Sequence, residues 1–211
     1  MRIIHLLTAV FICFSTVSLG QVQEEHITKL ELGKKKKKYF NSRDSTAVIY
    51  IDTLIMKDKS SIQFIGKKDV KLVVKHAQIG KKAFISGSGA KNNASNFNID
   101  IAIQSLGSLY VIAKGQDAIN GTKTNDNGDG GNVIFRYAAS GIVPQTEDKN
   151  ADNYLRVDVT PGGRTTNPTT DLNQIYSRIK TAPSGLRGVP QGQIYSGSPG
   201  KEGTVTIEVK P

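Results

Sequence analysis

The sequence predicts an all-β protein, a right-handed parallel β-helix or β-solenoid with glycine-rich loops and one short helix near 171–180. Three observations carry that reading. Between Thr53 and Gly89 the apolar residues fall in short runs (Leu54 to Met56, Ile62 to Ile65, Leu72 to Val74, Ala83 to Ile85) whose β-branched content favours strands and whose length is too small for a helical stripe. Tight Lys, Asp, Ser and Gly corners separate the runs, as in a coiled sheet whose turns stack on one another. Farther on, segments of strict apolar/polar alternation recur. A β-sandwich is the alternative, since glycine turns separate its strands too.

Taken in order, Met1-Arg2, the apolar stretch Ile3 to Phe14 and Ser18-Leu19-Gly20 have the layout of a secretory signal peptide over 1–20. The apolar stretch is shorter than the roughly 20 residues of a spanning helix. The expected product is exported, to the periplasm, the outer membrane or the cell surface, and is not a transmembrane protein. The single cysteine, Cys13, lies inside the leader, so disulfides, thiol catalysis and thiolate metal sites are not expected in the processed chain.

Residues 21–46 read as a basic polar N-terminal arm, and 47–211 as one solenoid-like domain. Lys34, Lys35, Lys36, Lys37 and Lys38 are five adjacent like charges that resist burial and suit an exposed loop. Ala47 to Met56 is the most strand-like early segment. Ser86 to Asn98 is polar and reads as a loop. Ile99, Ile101 and Ile103 then alternate with Asp100 and Ala102, and a strand or pair of strands follows over Leu106 to Ile112. Gly115 to Asn132 reads as a long loop, and Val133 to Tyr137 as the next strand. Leu155, Val157 and Val159 alternate with Arg156 and Asp158. Val205, Ile207 and Val209 make a terminal strand that should dock rather than fray.

One segment has another period. Leu172, Ile175, Tyr176 and Ile179 share a helical face, with Thr170 or Asp171 to cap it and Pro183 and Gly185 to stop it. Gly185 to Gly203 does not keep a strict triplet, which excludes a collagen triple helix and leaves extended loops.

Charge and glycine are distributed in opposite senses. Residues 21–90 hold 15 basic and 7 acidic residues with 5 glycines, whereas 91–211 hold 12 and 11 with 15 glycines. The basic part implies an anionic partner, a lipid surface or an acidic glycan reached through Lys34 to Lys38. Nucleic acid is not expected, because no aromatic stacking pattern is interleaved with the lysines.

Ser61-Ile62-Gln63-Phe64, Lys71-Leu72-Val73-Val74, Ala77-Gln78-Ile79-Gly80 and Ile85-Ser86-Gly87-Ser88-Gly89, with Asn127-Gly128-Asp129-Gly130-Gly131-Asn132, resemble secreted β-solenoid proteins of the Bacteroidota. The likeness covers roughly residues 47–137. It implies a parallel β-helix exported to the cell envelope and carries over no catalytic residue.

For chemistry, Asn125, Asn127 and Asp129 alternate as oxygen donors before Gly130, like the front of a calcium loop. The position of the usual bidentate Glu is Arg136, and a turn built from Asn, Asp and Gly gives the same pattern. Calcium is the only cofactor the sequence suggests. His26 and His76 are too far apart in sequence to suggest a cluster. Asp100, Asp117, Asp126 and Asp129 show no spacing that marks a catalytic pair. Ser45 and Thr53 lie in Asp-Ser/Thr-x triplets resembling an O-glycosylation acceptor, and Asn93 and Asn120 head N-linked triplets. The expected function is that of a non-catalytic exported envelope protein, an accessory or interaction subunit of an outer-membrane or surface assembly. The alternative is a polysaccharide-binding or polysaccharide-cleaving β-helix.

Overall fold

The computed structural model describes residues 24–118, 126–163 and 199–210, together with Lys180. The chain is a parallel β-solenoid. Eleven strands are described: β1 (Glu24–Leu32), β2 (Lys37–Phe40), β3 (Thr46–Met56), β4 (Ser61–Ile65), β5 (Asp69–Ile79), β6 (Ala83–Ser88), β7 (Asn96–Leu106), β8 (Ser108–Ile112), β9 (Val133–Ala138), β10 (Tyr154–Asp158) and β11 (Val205–Lys210). Odd and even strands separate into two sheets, β1-β3-β5-β7-β9-β11 and β2-β4-β6-β8-β10. Every pair between these strands is parallel. That rules out the sandwich alternative, whose sheets are antiparallel.

Side chains of equal rank line up across each sheet. In the larger one, Glu25, Ile49, Leu72, Ile99, Phe135 and Ile207 form one inward column, and Ile27, Ile51, Val74, Ile101, Tyr137 and Val209 the next. In the smaller one, Lys38, Ile62, Ile85, Val111 and Val157 face them. The middle members are almost fully buried, with Leu72, Ile85, Ile99, Val111 and Phe135 at 0% exposure. β-Branched and aromatic side chains fit such columns because each packs on its counterpart one coil away. Phe40 stacks on Phe64 at 5.0 Å between ring centres, and Phe64 meets Phe97 edge to face at 5.8 Å.

The long strands bend where alternation slips by one residue. Inward Ile51 is followed by inward Leu54, and Val74 by Ala77, leaving Asp52-Thr53 and Lys75-His76 as outward pairs. A period-2 reading across the whole strand would put one half on the wrong face.

Two kinds of corner join the sheets. The outward corners, from an odd strand to the next even one, are short in the early coils: 33–36, 57–60, 80–82 and then Gly107 alone. The return corners are short at 41–45 and 66–68 and longer at 89–95, and the chain between the later strands, 113–132 and 159–204, includes residues outside the described ones. Coil spacing follows them, from Val48 to Lys71 in one coil to Ile134 to Thr206 in the last.

The described parts of the long return corners stack as extended segments outside the sheets. Gly128 donates to the Gln116 carbonyl at 2.9 Å, Gly130 to Lys201 at 2.9 Å, Gly131 to Ala113 at 2.8 Å and Gly162 to Gly128 at 2.8 Å. A Cβ on Gly128 would stand 1.8 Å from the Asn92 carbonyl oxygen, and one on Gly131 2.0 Å from that of Ser95. Neither residue has positive φ, so glycine is required here for close approach and not for handedness. Two side-chain ladders run alongside. Asn93 Oδ1 accepts from Asp129 N–H (2.8 Å) and Asp129 Oδ1 from Lys201 N–H (2.7 Å). Likewise Asp69 accepts from Asn96 (2.8 Å), Asn96 from Asn132 N–H (3.0 Å) and Asn132 from Thr204 N–H (3.0 Å).

Two expectations change and a third holds with a difference. Residues 24–40 are not a free arm, because β1 and β2 form the first coil, paired to β3 and β4. The interval Ser86 to Asn98 is not an exposed loop: Ala94, Ser95 and Phe97 are buried, since stacking hides even polar residues that hydrogen-bond to the neighbouring coil. The terminal strand β11 does dock, on β9, yet Val205, Ile207 and Val209 stay 42, 36 and 49% exposed. The expected helix near 171–180 lies outside the described residues, apart from Lys180.

Candidate functional site: a stacked lysine corner

The outward corners superpose. Lys35 N–H donates to the Asp58 carbonyl at 3.0 Å, and Lys59 N–H to the Lys81 carbonyl at 2.9 Å. This register places Lys35, Lys59 and Lys82 over one another, and all three adopt the left-handed conformation, with φ of 61, 61 and 57°. A left-handed residue is what turns the chain sharply from one sheet into the other, and a lysine there must extend into solvent. Coils in register repeat at about 4.8 Å. Lys34, Lys35, Lys36, Lys57, Lys59, Lys81 and Lys82 therefore form a ridge three coils deep, and all are exposed.

The ridge is under-neutralised. Lys57 meets Glu31 at 3.5 Å and Lys81 meets Asp152 at 3.2 Å. Among the described residues, Lys34, Lys35, Lys36, Lys59 and Lys82 have no carboxylate at ion-pair distance. Glu31 is held below the usual carboxylate range, first by its hydrogen bond with Lys29 and then by the charges of Lys29 and Lys57. Asp58, the acid within the ridge, accepts from Lys81 N–H at 2.8 Å. Beside the ridge, on the outer face of the larger sheet, lies a shallow depression of about 410 Å³ that includes Lys34, Lys57, Ile55 and Gln78.

The structure divides the five-lysine run. Lys34 to Lys36 belong to the ridge. Lys37 faces outward at the start of β2, and Lys38 takes an inward-column position with its Nζ 5.1 Å from the Phe40 ring centre. The sequence reading missed Lys57, Lys59, Lys81 and Lys82. The available signal was the recurrence of Lys-rich corners at 35, 59 and 82, one coil apart.

Of the other candidates, Asn125 lies outside the described residues. Asn127 is buried and its Oδ1 accepts from Ala118 N–H at 2.9 Å, while Asp129 Oδ1 is occupied by Lys201 N–H. Among the described residues no three His, Cys, Asp or Glu side chains gather as a metal set. Asp117 accepts from Gly163 N–H at 2.6 Å, and Asp100 stands on the sheet 3.5 Å from Arg136 and 3.7 Å from Lys210. Ser45 is exposed in the first return corner, where its carbonyl accepts from Lys68 N–H, and Thr53 lies half-buried in the outward pair of β3. Asn93 uses its side-chain oxygen in the ladder. Asn120 lies outside the described residues.

Coiling also brings together what sequence distance separates. His26 stacks on Tyr50 at 4.7 Å, and His76 Nδ1 lies 3.3 Å from Gln104. Both histidines act on Asp52, whose carboxyl is lowered chiefly by hydrogen bonding to Lys75 at 2.7 Å. A second unforeseen residue is Lys67. It is fully buried, and its ammonium donates to the Ser42 carbonyl (2.9 Å), the Ser42 hydroxyl and the Asp44 carbonyl (2.5 Å). Those three acceptors match the three donors of an ammonium, so Lys67 fixes the first return corner.

No helix among the described residues is long and apolar enough to cross a membrane. Compared with protein-family models, curated proteins and solved structures, the chain matches none of them.

Proposed function

We propose that this chain is a non-catalytic exported protein of the cell envelope, an accessory or interaction subunit of an outer-membrane or surface assembly. Its lysine ridge rests against an anionic surface, lipid headgroups or acidic glycan. The observation that carries this reading is the superposition of three lysine corners with five cations that lack a carboxylate partner among the described residues. A solvated charge run needs no such register. A stack held by backbone pairing presents its cations as a fixed array, and each lysine close to an anionic membrane contributes about 1 kcal/mol.

Changing Lys34, Lys35, Lys36, Lys59 and Lys82 to Ser tests it. Folding should be unaltered, because exposed charges contribute little to stability. Affinity for phosphatidylglycerol vesicles should fall by roughly fivefold per lysine, and the loss should shrink as salt rises. Equal binding by variant and wild type at every ionic strength would reduce the ridge to a solubilising edge. A second reading, polysaccharide binding or cleavage, draws on the outward row His26, Tyr50, Val73, Asp100, Arg136 and Glu208, which sets an aromatic pair and a charged group of three on one face, parted by Val73. A polyuronate added to the same assay, with reducing ends measured, distinguishes the two.

A further inference from the structure

The two ends of the solenoid treat their open edges differently. At the first end, β1 and β2 place Glu25 and Lys38 in columns that are otherwise aliphatic or aromatic. Inward-pointing charges on an edge strand discourage another strand from adding. At the last end, β11 continues the same columns with Val205, Ile207 and Val209, exposed by 42, 36 and 49%. Its two charges face outward and are already engaged, Glu208 with Arg136 at 2.7 Å and Lys210 with Asp100 at 3.7 Å. Among the described residues no strand pairs with the free side of β11. Nothing on that edge blocks addition: no proline, no inward charge and no bulge between Val205 and Lys210.

We propose that the occupant of this edge is β11 of a second copy, added antiparallel about a two-fold axis at Ile207. The pattern is self-complementary in that register. Val205 faces Val209 of the other copy, Ile207 faces itself, and all three sit on the core side. Outside, Thr206 meets Glu208 and Thr204 meets Lys210, with no like charges opposed. Head-to-tail stacking onto β1 is disfavoured by the same columns, because Ile207 would then bury Glu25. An isologous contact closes at two copies, whereas a head-to-tail contact would propagate. The dimer would carry a lysine ridge on each copy and bind an anionic surface with two arrays at once.

Ile207→Cys in a Cys13→Ser background tests the register directly. Opposed residues of an antiparallel pair have Cα atoms about 4.5–5.5 Å apart, within disulfide reach. Mild oxidation should give a covalent dimer, Val143→Cys at another exposed site should not, and light scattering of the wild type should return twice the protomer mass. Ile207→Lys should weaken self-association at least about tenfold with an unchanged β-type circular dichroism spectrum. A monomeric wild type, or equal cross-linking at residues 207 and 143, overturns the proposal. A monomer would mean that another part of the chain or a different protein covers β11. These readouts are independent of vesicle binding, so they can fail while the ridge stands, or the reverse.

Discussion

The outward and return corners solve the same geometric problem with opposite chemistry. The outward corners turn in four residues or fewer through the first four coils, and apart from buried Ser60 their longer side chains extend into solvent, so charge is tolerated and lysine accumulates. The long return corners are stacked on one another, backbone against backbone. There a Cβ at Gly128, Gly130 or Gly131 would strike the neighbouring backbone, and Asn and Asp side chains are taken up in ladders between coils. In both kinds of corner the backbones of neighbouring coils pair directly, Lys35 with Asp58 and Lys59 with Lys81 on one side, Gly128 with Gln116 and Gly131 with Ala113 on the other. The difference teaches that composition follows where the side chain must go: a left-handed lysine leaves the stack, whereas a Cβ at Gly128 or Gly131 would enter the neighbouring coil.

The sharpest way to break this comparison is a methyl group placed in each corner. Gly128→Ala puts a Cβ 1.8 Å from a backbone carbonyl oxygen, which only displacement of the Asn92 segment can relieve. A loss of about 3 kcal/mol or more in urea unfolding is expected. Gly33→Ala, in an outward corner, meets nothing nearer than Lys36 Cγ at 3.5 Å and should change stability by about 0.5 kcal/mol or less. Gly80 and Gly107, in later outward corners, would bring a Cβ within 2.9 Å of backbone atoms. The contrast is therefore between Gly128 and the first outward corner, and equal losses at those two positions would dissolve it.

A smaller effect sharpens the role of the ladders. Asn132→Ala removes the acceptor for the Thr204 amide and hydroxyl, both at 3.0 Å on an exposed edge. About 1 kcal/mol should be lost, and hydrogen exchange at Thr204 should accelerate before exchange in β9 does. Unchanged protection at Thr204 would show that the ladder adds nothing to the glycine packing.

The smallest effect concerns pH. Burial pushes the Asp158 carboxyl up, but the Thr160 hydroxyl and amide, donating at 2.8 and 3.1 Å, together with Arg156 and Lys114, more than offset it. The folded carboxyl therefore titrates below its unfolded value. Its stabilisation is complete above the unfolded pKa and is lost as pH falls through the folded one. Thr160→Val should move the Asp158 titration, followed by NMR, toward higher pH and bring the acid unfolding midpoint up with it. An unmoved titration would assign the lowering to the cations alone.

Several features were legible in the residues themselves. Strand formation follows from β-branched alternation, and Ile99, Ile101 and Ile103 are buried on the face that their period marks. The exposure of Lys34 to Lys36 follows from like-charge repulsion. Parallel coiling was legible from short runs and tight corners, because such runs cannot bury an apolar face unless they stack. The glycine-rich character of 126–132 was equally visible, but its purpose was not. The Asn-Gly-Asp pattern suits a cation loop and a stacked ladder alike, and only the approach of Lys201, 72 residues away, puts an amide on the Asp129 carboxylate. The same limit hid the union of Lys35 with Lys59 and Lys82, of His26 with His76 around Asp52, and of Lys67 with the carbonyls of Ser42 and Asp44. Local propensity and period are properties of neighbours along the chain. The register between coils depends on how much chain each coil holds, which changes from 23 residues to 72, so it was decided only where the coils met.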